Sequence, residues 1–127
     1  MTAILDTHFL IWILTGSKRL LQFPWIGRYL PWGVSPVSFL EMQFLCEPGK
    51  MAVRNPDLMD AVMKDSRFLV DEVPLVSLIR NALALDWTRD PFDRLLCSHS
   101  LSRRIPICTI DTRIRMKHPL LLPELAV

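Results

Sequence analysis

The chain has 127 residues and a formal net charge of +2, with half of its residues hydrophobic and 22% charged. This composition is typical of one globular domain, residues 1–127, and excludes a disordered chain. The small net charge does not by itself indicate nucleic-acid binding. The apolar start is interrupted by Asp6 and does not resemble a signal peptide, and no charge-free run is long enough to span a bilayer, so we expect no membrane segment.

Short apolar stretches alternate with longer amphipathic segments along the chain. The short stretches predict strands at residues 3–5, 33–37, 67–70, 105–110 and 120–122. The longer segments predict helices at residues 9–14 (ended by Gly16), 17–30, 38–45 (ended by Pro48-Gly49), 57–64, 74–85 and 90–103. This alternation predicts an α/β fold with a parallel sheet that helices cover on both faces.

Four acidic residues follow a predicted strand or begin a predicted helix: Asp6, Glu41, Asp93 and Asp111. Taken singly, most of them are explained by helix capping. Ser38-x-x-Glu41 matches a capping box, Asp90-Pro91 places Asp93 at the third helical position, and Asp111 would cap the turn after it. Only Asp6 lacks such an explanation, unless Thr7 begins the helix.

Taken together, the four acids predict a metal site. Ligands of open α/β sheets bind at the carboxyl ends of the strands, where all four would meet. Clustered carboxylates repel one another unless a cation is bound, and oxygen-only ligands suit Mg²⁺ or Mn²⁺. Thr7, Ser38 and Thr109 flank the acids and would orient them or a water molecule. Such a cation can polarise a phosphate and activate water for attack.

Basic residues concentrate in the same part of the chain as two of the acids. Within residues 80–118 we name four candidates for phosphate contacts: Arg89, Arg94, Arg113 and Arg115. Each of them, taken alone, is better explained as surface charge or as a partner of a nearby acid.

The remaining reactive and aromatic residues predict mainly structural roles. Cys46, Cys97 and Cys108 have apolar neighbours and wide spacing, which predicts reduced core thiols and a cytoplasmic protein. The histidines, His8, His99 and His118, form no metal motif, so structural roles are expected. Trp12, Trp25 and Trp32 either belong to the core or line a groove for a protein partner.

Four segments together resemble the PIN domain, and most of all its short bacterial VapC-type toxins from toxin–antitoxin pairs. They are Asp6-Thr7-His8, Ser38-x-x-Glu41, the stretch from Arg89 to Leu96 (RDPFDRLL) and the stretch from Thr109 to Ile114 (TIDTRI). They occur in the family's order and span nearly the whole chain. The chain departs from the family pattern at Leu40, where relatives often have tryptophan, and at Cys97-Ser98-His99, where alanines are common.

The resemblance implies a three-layer α/β/α sandwich and a Mg²⁺- or Mn²⁺-dependent endoribonuclease that acts as a toxin on RNA. It implies that Asp6, Asp93 and Asp111 lie closest to the metal, while Glu41 holds metal or water. It also implies a homodimer and an antitoxin partner whose C-terminal segment wraps the toxin and blocks the site.

Two other functions compete with this one. A non-catalytic PIN-like module would bind RNA or a protein partner without cutting, but such modules usually lose one or more of the acids. A phosphoacceptor or phosphohydrolase shares the wound sheet but needs paired acids after the first strand, where this chain has only Asp6.

Overall fold

Four short parallel strands form the centre of the structure, a computed structural model that describes residues 1–47 and 55–126. The strands are β1 (Ile4–Leu5), β2 (Trp32–Val34), β3 (Phe68–Val70) and β4 (Ile107–Cys108). They form one sheet in the order β3-β2-β1-β4, and every pairing is parallel.

Helices connect the strands and cover the sheet. The α-helices are α1 (Thr7–Thr15), α2 (Val37–Cys46), α3 (Asn55–Lys64), α4 (Leu75–Ala82), α5 (Pro91–Arg103) and α6 (Thr112–Lys117). Short 3₁₀ helices occupy Lys18–Gln22, Ile26–Tyr29 and Pro123–Leu125. None of the helices in the described ranges has both the length and the apolar character that a bilayer crossing requires.

Neighbouring residues of β1 and β4 point to opposite faces of the sheet, and each face packs against its own helices. Leu5 and Cys108 join the larger core, which includes side chains of α1, α2 and α3. Ile4 and Ile107 join the smaller core with Leu96 of α5 and with α6. This alternation is the two-residue period of a strand. The predicted three-layer α/β/α sandwich with a central parallel sheet is therefore confirmed.

The order of the strands creates a switch point beside β1. From β1 the chain moves outward through β2 to β3, and it then returns to the other side of β1 to form β4. The connections therefore diverge at the carboxyl ends of β1 and β4, which leaves an open crevice there. Asp6 follows β1 directly, and Asp111 lies three residues beyond β4.

Local sequence explains where the first helix begins and ends. The Asp6 carboxylate accepts a hydrogen bond from the Phe9 amide at 2.9 Å, so Thr7 begins α1 and Asp6 is a helix cap after all. Gly16 ends α1 in the left-handed conformation, with φ of 63°, as predicted. The predicted helix at residues 17–30 is instead two 3₁₀ helices, between which Pro24 lies.

Several predicted elements are shorter than expected. The strand predicted at residues 105–110 pairs only at Ile107 and Cys108, and the stretch at 120–122 makes only an isolated bridge from Leu121 to Ile107. Helix α2 begins at Val37, whose amide donates to Ser35 Oγ, so the prediction that Ser38 caps this helix is wrong. The predicted end of α2 at Pro48-Gly49 lies outside the described residues.

The buried cysteines, histidines and tryptophans have mostly structural roles. Cys97 and Cys108 are free and buried, as predicted, while the Cys46 side chain lies outside the described set. His99 and His118 are buried and contact Asp71 and Ser100, respectively. Trp12 and Trp32 belong to the core, as one of the two predicted alternatives had it, and Trp25 is partly buried against that core.

Gly33 permits the close approach of β2 to β1. Its amide donates to the Ala3 carbonyl oxygen at 2.8 Å, and a Cβ at position 33 would collide with the Met1 side chain and lie 2.9 Å from that same oxygen. We expect Gly33→Ala to lower the free energy of unfolding by about 1–3 kcal/mol, because both the Met1 side chain and the neighbouring strand must shift to admit the methyl group. Urea denaturation measures this change.

Gly27→Ala is the matched control, since a Cβ there would have nothing within 4 Å. Equal stability of the two variants would contradict this account of strand packing.

Candidate functional site

A cavity of about 120 Å³ lies at the switch point of the sheet. The four acids that the sequence singled out all line it, although they come from four separate parts of the chain. The full lining consists of Asp6, Thr7, His8, Glu41, Asp90, Asp93, Leu96, Asp111 and Ile114. Five of the seven polar residues in this lining are therefore acidic.

Asp6 and Asp111 are linked through the hydroxyl of Thr109. Thr109 Oγ1 donates to Asp6 Oδ2 at 2.5 Å and accepts from the Asp111 amide at 3.0 Å. The other Asp6 oxygen accepts from the Phe9 amide. Asp111 Oδ1 accepts from the Ile114 amide at 2.9 Å and begins α6, as the capping prediction expected. Both carboxylates are thus fixed by the first turns of helices.

Thr7 fixes the third acid, Glu41. Thr7 Oγ1 donates to Glu41 Oε1, and it also lies 3.1 Å from Ser38 Oγ. A hydroxyl has only one proton, so Thr7 accepts from Ser38 when it donates to Glu41. Ser38 and Glu41 therefore meet at Thr7 rather than forming the predicted capping box.

Two acids at the start of α5, Asp90 and Asp93, make different contacts. Asp90 caps the helix, since its Oδ1 accepts from the amides of Phe92 at 2.8 Å and Asp93 at 3.3 Å. Pro91 occupies the first helical position, which needs no amide donor. Among the described residues, none donates a hydrogen bond to the Asp93 carboxylate. Asp93 is therefore the acid of the cavity whose carboxylate accepts no hydrogen bond from the described residues.

Crowding and burial raise the pKa values of three of these acids. Burial is the main cause for Asp93, whose pKa rises to about 7, and the charges of Asp90, Asp111, Glu41 and Asp6 raise it further. Burial also raises the pKa of Asp6, against the hydrogen bonds from Phe9 and Thr109. It raises the pKa of Glu41 as well, against the hydrogen bond from Thr7. The cluster therefore disfavours full ionisation in the absence of a positive charge.

The candidate metal ligands are carboxylate and hydroxyl oxygens, which are the ligands that a hard divalent cation prefers. The side chains do not, however, form a ready-made site. Within residues 1–47 and 55–126, no three His, Cys, Asp or Glu side chains are placed so that they could hold a metal ion as they stand. Two of the acids are turned toward hydroxyl donors, Asp6 to Thr109 and Glu41 to Thr7. Metal binding would require carboxylates to rotate toward a common point.

The four arginines proposed for phosphate contacts differ in their surroundings. Arg94 and Arg115 donate from Nε to the backbone carbonyls of Thr88 and Leu125, at 2.7 and 2.8 Å, so each has a structural contact. Arg89 and Arg113 are exposed. None of the four lines the acidic cavity.

The structure adds three residues that sequence reasoning did not assign to the site. Asp90 contributes a fifth carboxylate, although the capping pattern had already identified it as a helix cap. His8 is exposed on the wall of the cavity. Arg19 lies in an adjoining cavity of about 370 Å³ that shares Asp6, His8 and Asp111 with the first. No sequence motif marks Arg19, because only the path of the 3₁₀ helix brings it there.

Neither a protein-family model nor a curated protein matches this sequence. A chain of a solved toxin–antitoxin complex from Klebsiella pneumoniae does match the structure, with a TM-score of 0.68. The match covers 98% of this chain and 99% of that chain, at 15% sequence identity. This likeness shows that the two chains share one fold over nearly their whole lengths.

The raised pKa of Asp93 predicts that wild-type stability falls as pH rises. The unfolded chain releases this proton near the ordinary pKa of 3.8, whereas the folded chain keeps it to about pH 7. Asp93→Asn removes the charge. It should therefore raise the free energy of unfolding above about pH 7, and it should not raise it below the ordinary pKa of 3.8. Because Asp93 is partly exposed and solvent screens its charge, we expect the free energy of unfolding to rise by only roughly 1–2 kcal/mol near pH 8.

Chemical denaturation of both proteins in EDTA, between about pH 4 and pH 8, measures this difference. Asp60→Asn is the control, because Asp60 is an exposed acid of α3 that does not line the cavity. A constant difference between wild type and Asp93→Asn across the pH range would contradict the assigned burial and repulsion.

Proposed function

We propose that this chain is a PIN-domain endoribonuclease of the VapC type, the toxin of a toxin–antitoxin pair, which hydrolyses RNA with Mg²⁺ or Mn²⁺. One observation carries the proposal: acids from four distant parts of the sequence line a single cavity at the switch point of a parallel sheet. Helix capping accounts for Asp6 and Asp111 at this edge of the sheet, but it does not require Glu41 and Asp93 to line the same cavity. The resemblance of the four motifs and the shared fold of a toxin–antitoxin chain support the same function.

Each acid would have a distinct part in the reaction. Asp6, Asp93 and Asp111 would hold the cation, and Glu41, oriented by Thr7, would hold the cation or position a water molecule. A bound Mg²⁺ or Mn²⁺ would polarise a phosphate oxygen and lower the pKa of water. Thr109 would keep Asp6 and Asp111 in place, because it bonds to both.

The proposed partners are RNA, a cognate antitoxin and a second copy of the chain, in the cytoplasm. The resemblance supports all three, and the complex that contains the structural neighbour supports the antitoxin. Helix α4 also exposes large apolar side chains, among them Leu75, Val76 and Leu83. Exposed apolar patches of this kind commonly mark protein contacts.

A non-catalytic module that binds RNA or protein remains the second candidate, and one observation favours it. Both oxygens of Asp6 and one oxygen of Glu41 accept hydrogen bonds from the chain's own groups. In the part of the chain that the structure describes, no three acids are placed so that they could hold a metal ion as they stand. In that case the acids would serve only as helix caps and hydrogen-bond acceptors.

Cleavage of total RNA by the purified chain separates the two candidates. With Mg²⁺ or Mn²⁺ we expect discrete cuts, which EDTA abolishes. We expect Asp93→Asn to reduce the rate by at least about a hundredfold, since it removes a charge that would hold the cation and leaves the Asp90 cap intact. Gel analysis of the fragments measures the rate and the cut positions.

Asp60→Asn is again the matched control and should cut like wild type. Mass spectrometry must first show that the folded wild type carries no bound protein. If that protein leaves RNA intact in both metals, the result contradicts the nuclease function. Retained RNA binding in that case would favour the module.

A further inference from the structure

A second cavity of about 370 Å³ adjoins the acidic one and has a different charge character. Its lining includes Asp6 and Asp111 on the acidic side, and His8 and Arg19 among the other residues. Trp12, Ile110 and Thr112 complete the wall. A ligand in this cavity would therefore touch the proposed metal carboxylates and a permanent positive charge together.

Arg19 is exposed, and its guanidinium lies over the ring of the buried Trp12. Its guanidinium carbon lies 5.3 Å from the centre of the Trp12 ring, within the range of a cation–π contact. That ring is 8% exposed and is fixed by Phe9 at 5.1 Å and Phe23 at 6.1 Å between ring centres. Ser17 Oγ accepts from the Arg19 amide at 3.2 Å and begins the 3₁₀ helix that carries the arginine.

No acid among residues 1–47 and 55–126 forms an ion pair with the Arg19 guanidinium. The ion pairs of the described residues involve Arg67, His99 and Arg103, and not Arg19. An arginine that is both oriented and unpaired, at the edge of a cavity, has its donors available for an anionic ligand.

We propose that this second cavity binds a backbone phosphate of the nucleic-acid strand, next to the phosphate that is cut, and that Arg19 contacts it. The inference rests on the proposed function, which puts the reacting phosphate beside Asp6 and Asp111. Because both cavities share these two acids and His8, one strand can occupy the two in succession. The four arginines that the sequence predicts for phosphate contacts, Arg89, Arg94, Arg113 and Arg115, line neither cavity.

A simpler role for Arg19 is to offset the charge of Asp6 and Asp111 without touching a ligand. The two roles differ in salt dependence. A phosphate contact releases a counterion when the strand binds, so its loss flattens the dependence of affinity on salt. A charge that only offsets the acids would alter metal affinity and leave that dependence unchanged.

The test is fluorescence anisotropy with a short labelled single-stranded RNA, in Ca²⁺ and over a series of KCl concentrations. Arg19→Gln and Arg19→Met remove the charge, and methionine keeps a long apolar chain over Trp12. Both should weaken binding severalfold and reduce the slope of log affinity against log salt by about 0.7, the value for one contact on a single strand. Arg19→Lys should keep most of the slope.

Arg80→Gln is the matched control, because Arg80 lies on α4 and lines neither cavity. It should bind like wild type. The proposal would be overturned if both charge-removing variants showed the same slope of log affinity against log salt as Arg80→Gln. It would also be overturned if the wild type did not bind the RNA. Metal-dependent cleavage by the same preparations is scored separately, so the nuclease function can stand even if the role of Arg19 fails.

Discussion

Mutual repulsion among clustered carboxylates is the constraint on which the candidate site depends. Five acids line a cavity about as large as a few water molecules, and burial raises the pKa values of Asp6, Glu41 and Asp93. Such an arrangement is unfavourable for folding unless each charge finds a donor or a cation. The fold supplies donors to most of the acids and leaves Asp93 without one among the described residues.

The same local chemistry that builds the helices also assembles the cluster. Asp6, Asp90 and Asp111 each cap a helix that begins at the carboxyl edge of the sheet, so the caps converge where the strands end. The positive ends of these helices partly compensate the negative charges. Capping and catalysis are therefore not competing explanations of these residues, since one carboxylate can begin a helix and still present an oxygen to the cavity.

The sequence predicted the architecture well where its patterns were local. Gly16 and the Asp90-Pro91 pair marked helix ends directly, and the alternation of elements predicted the parallel sheet. The strand at 105–110 was overestimated, because the residues after Cys108 leave the sheet to position Thr109 and Asp111. Ser38 was misassigned as a cap because its partner, Thr7, lies 31 residues away. Arg19 could not be found at all, since its position depends on packing against Trp12.

The resemblance to a known family and the geometry make separate contributions. The motifs name the acids and a chemistry, and the shared fold with a toxin–antitoxin chain agrees with the predicted architecture. The geometry adds which acid accepts no hydrogen bond from the described residues, which hydroxyls bind the others, and where a positive charge lies beside them. Within residues 1–47 and 55–126, it also shows no three acidic, histidine or cysteine side chains placed to hold one metal ion as they stand.

Direct titration with Mn²⁺, followed by the electron paramagnetic resonance signal of the free ion, tests the central claim most directly. Asp111→Asn is the informative comparison, because asparagine caps a helix as well as aspartate and so preserves the start of α6. We predict saturable Mn²⁺ binding by wild type near pH 8, and a loss of at least about tenfold in affinity in Asp111→Asn. Absence of saturable binding by the folded wild type, or equal binding by both proteins, would contradict the account.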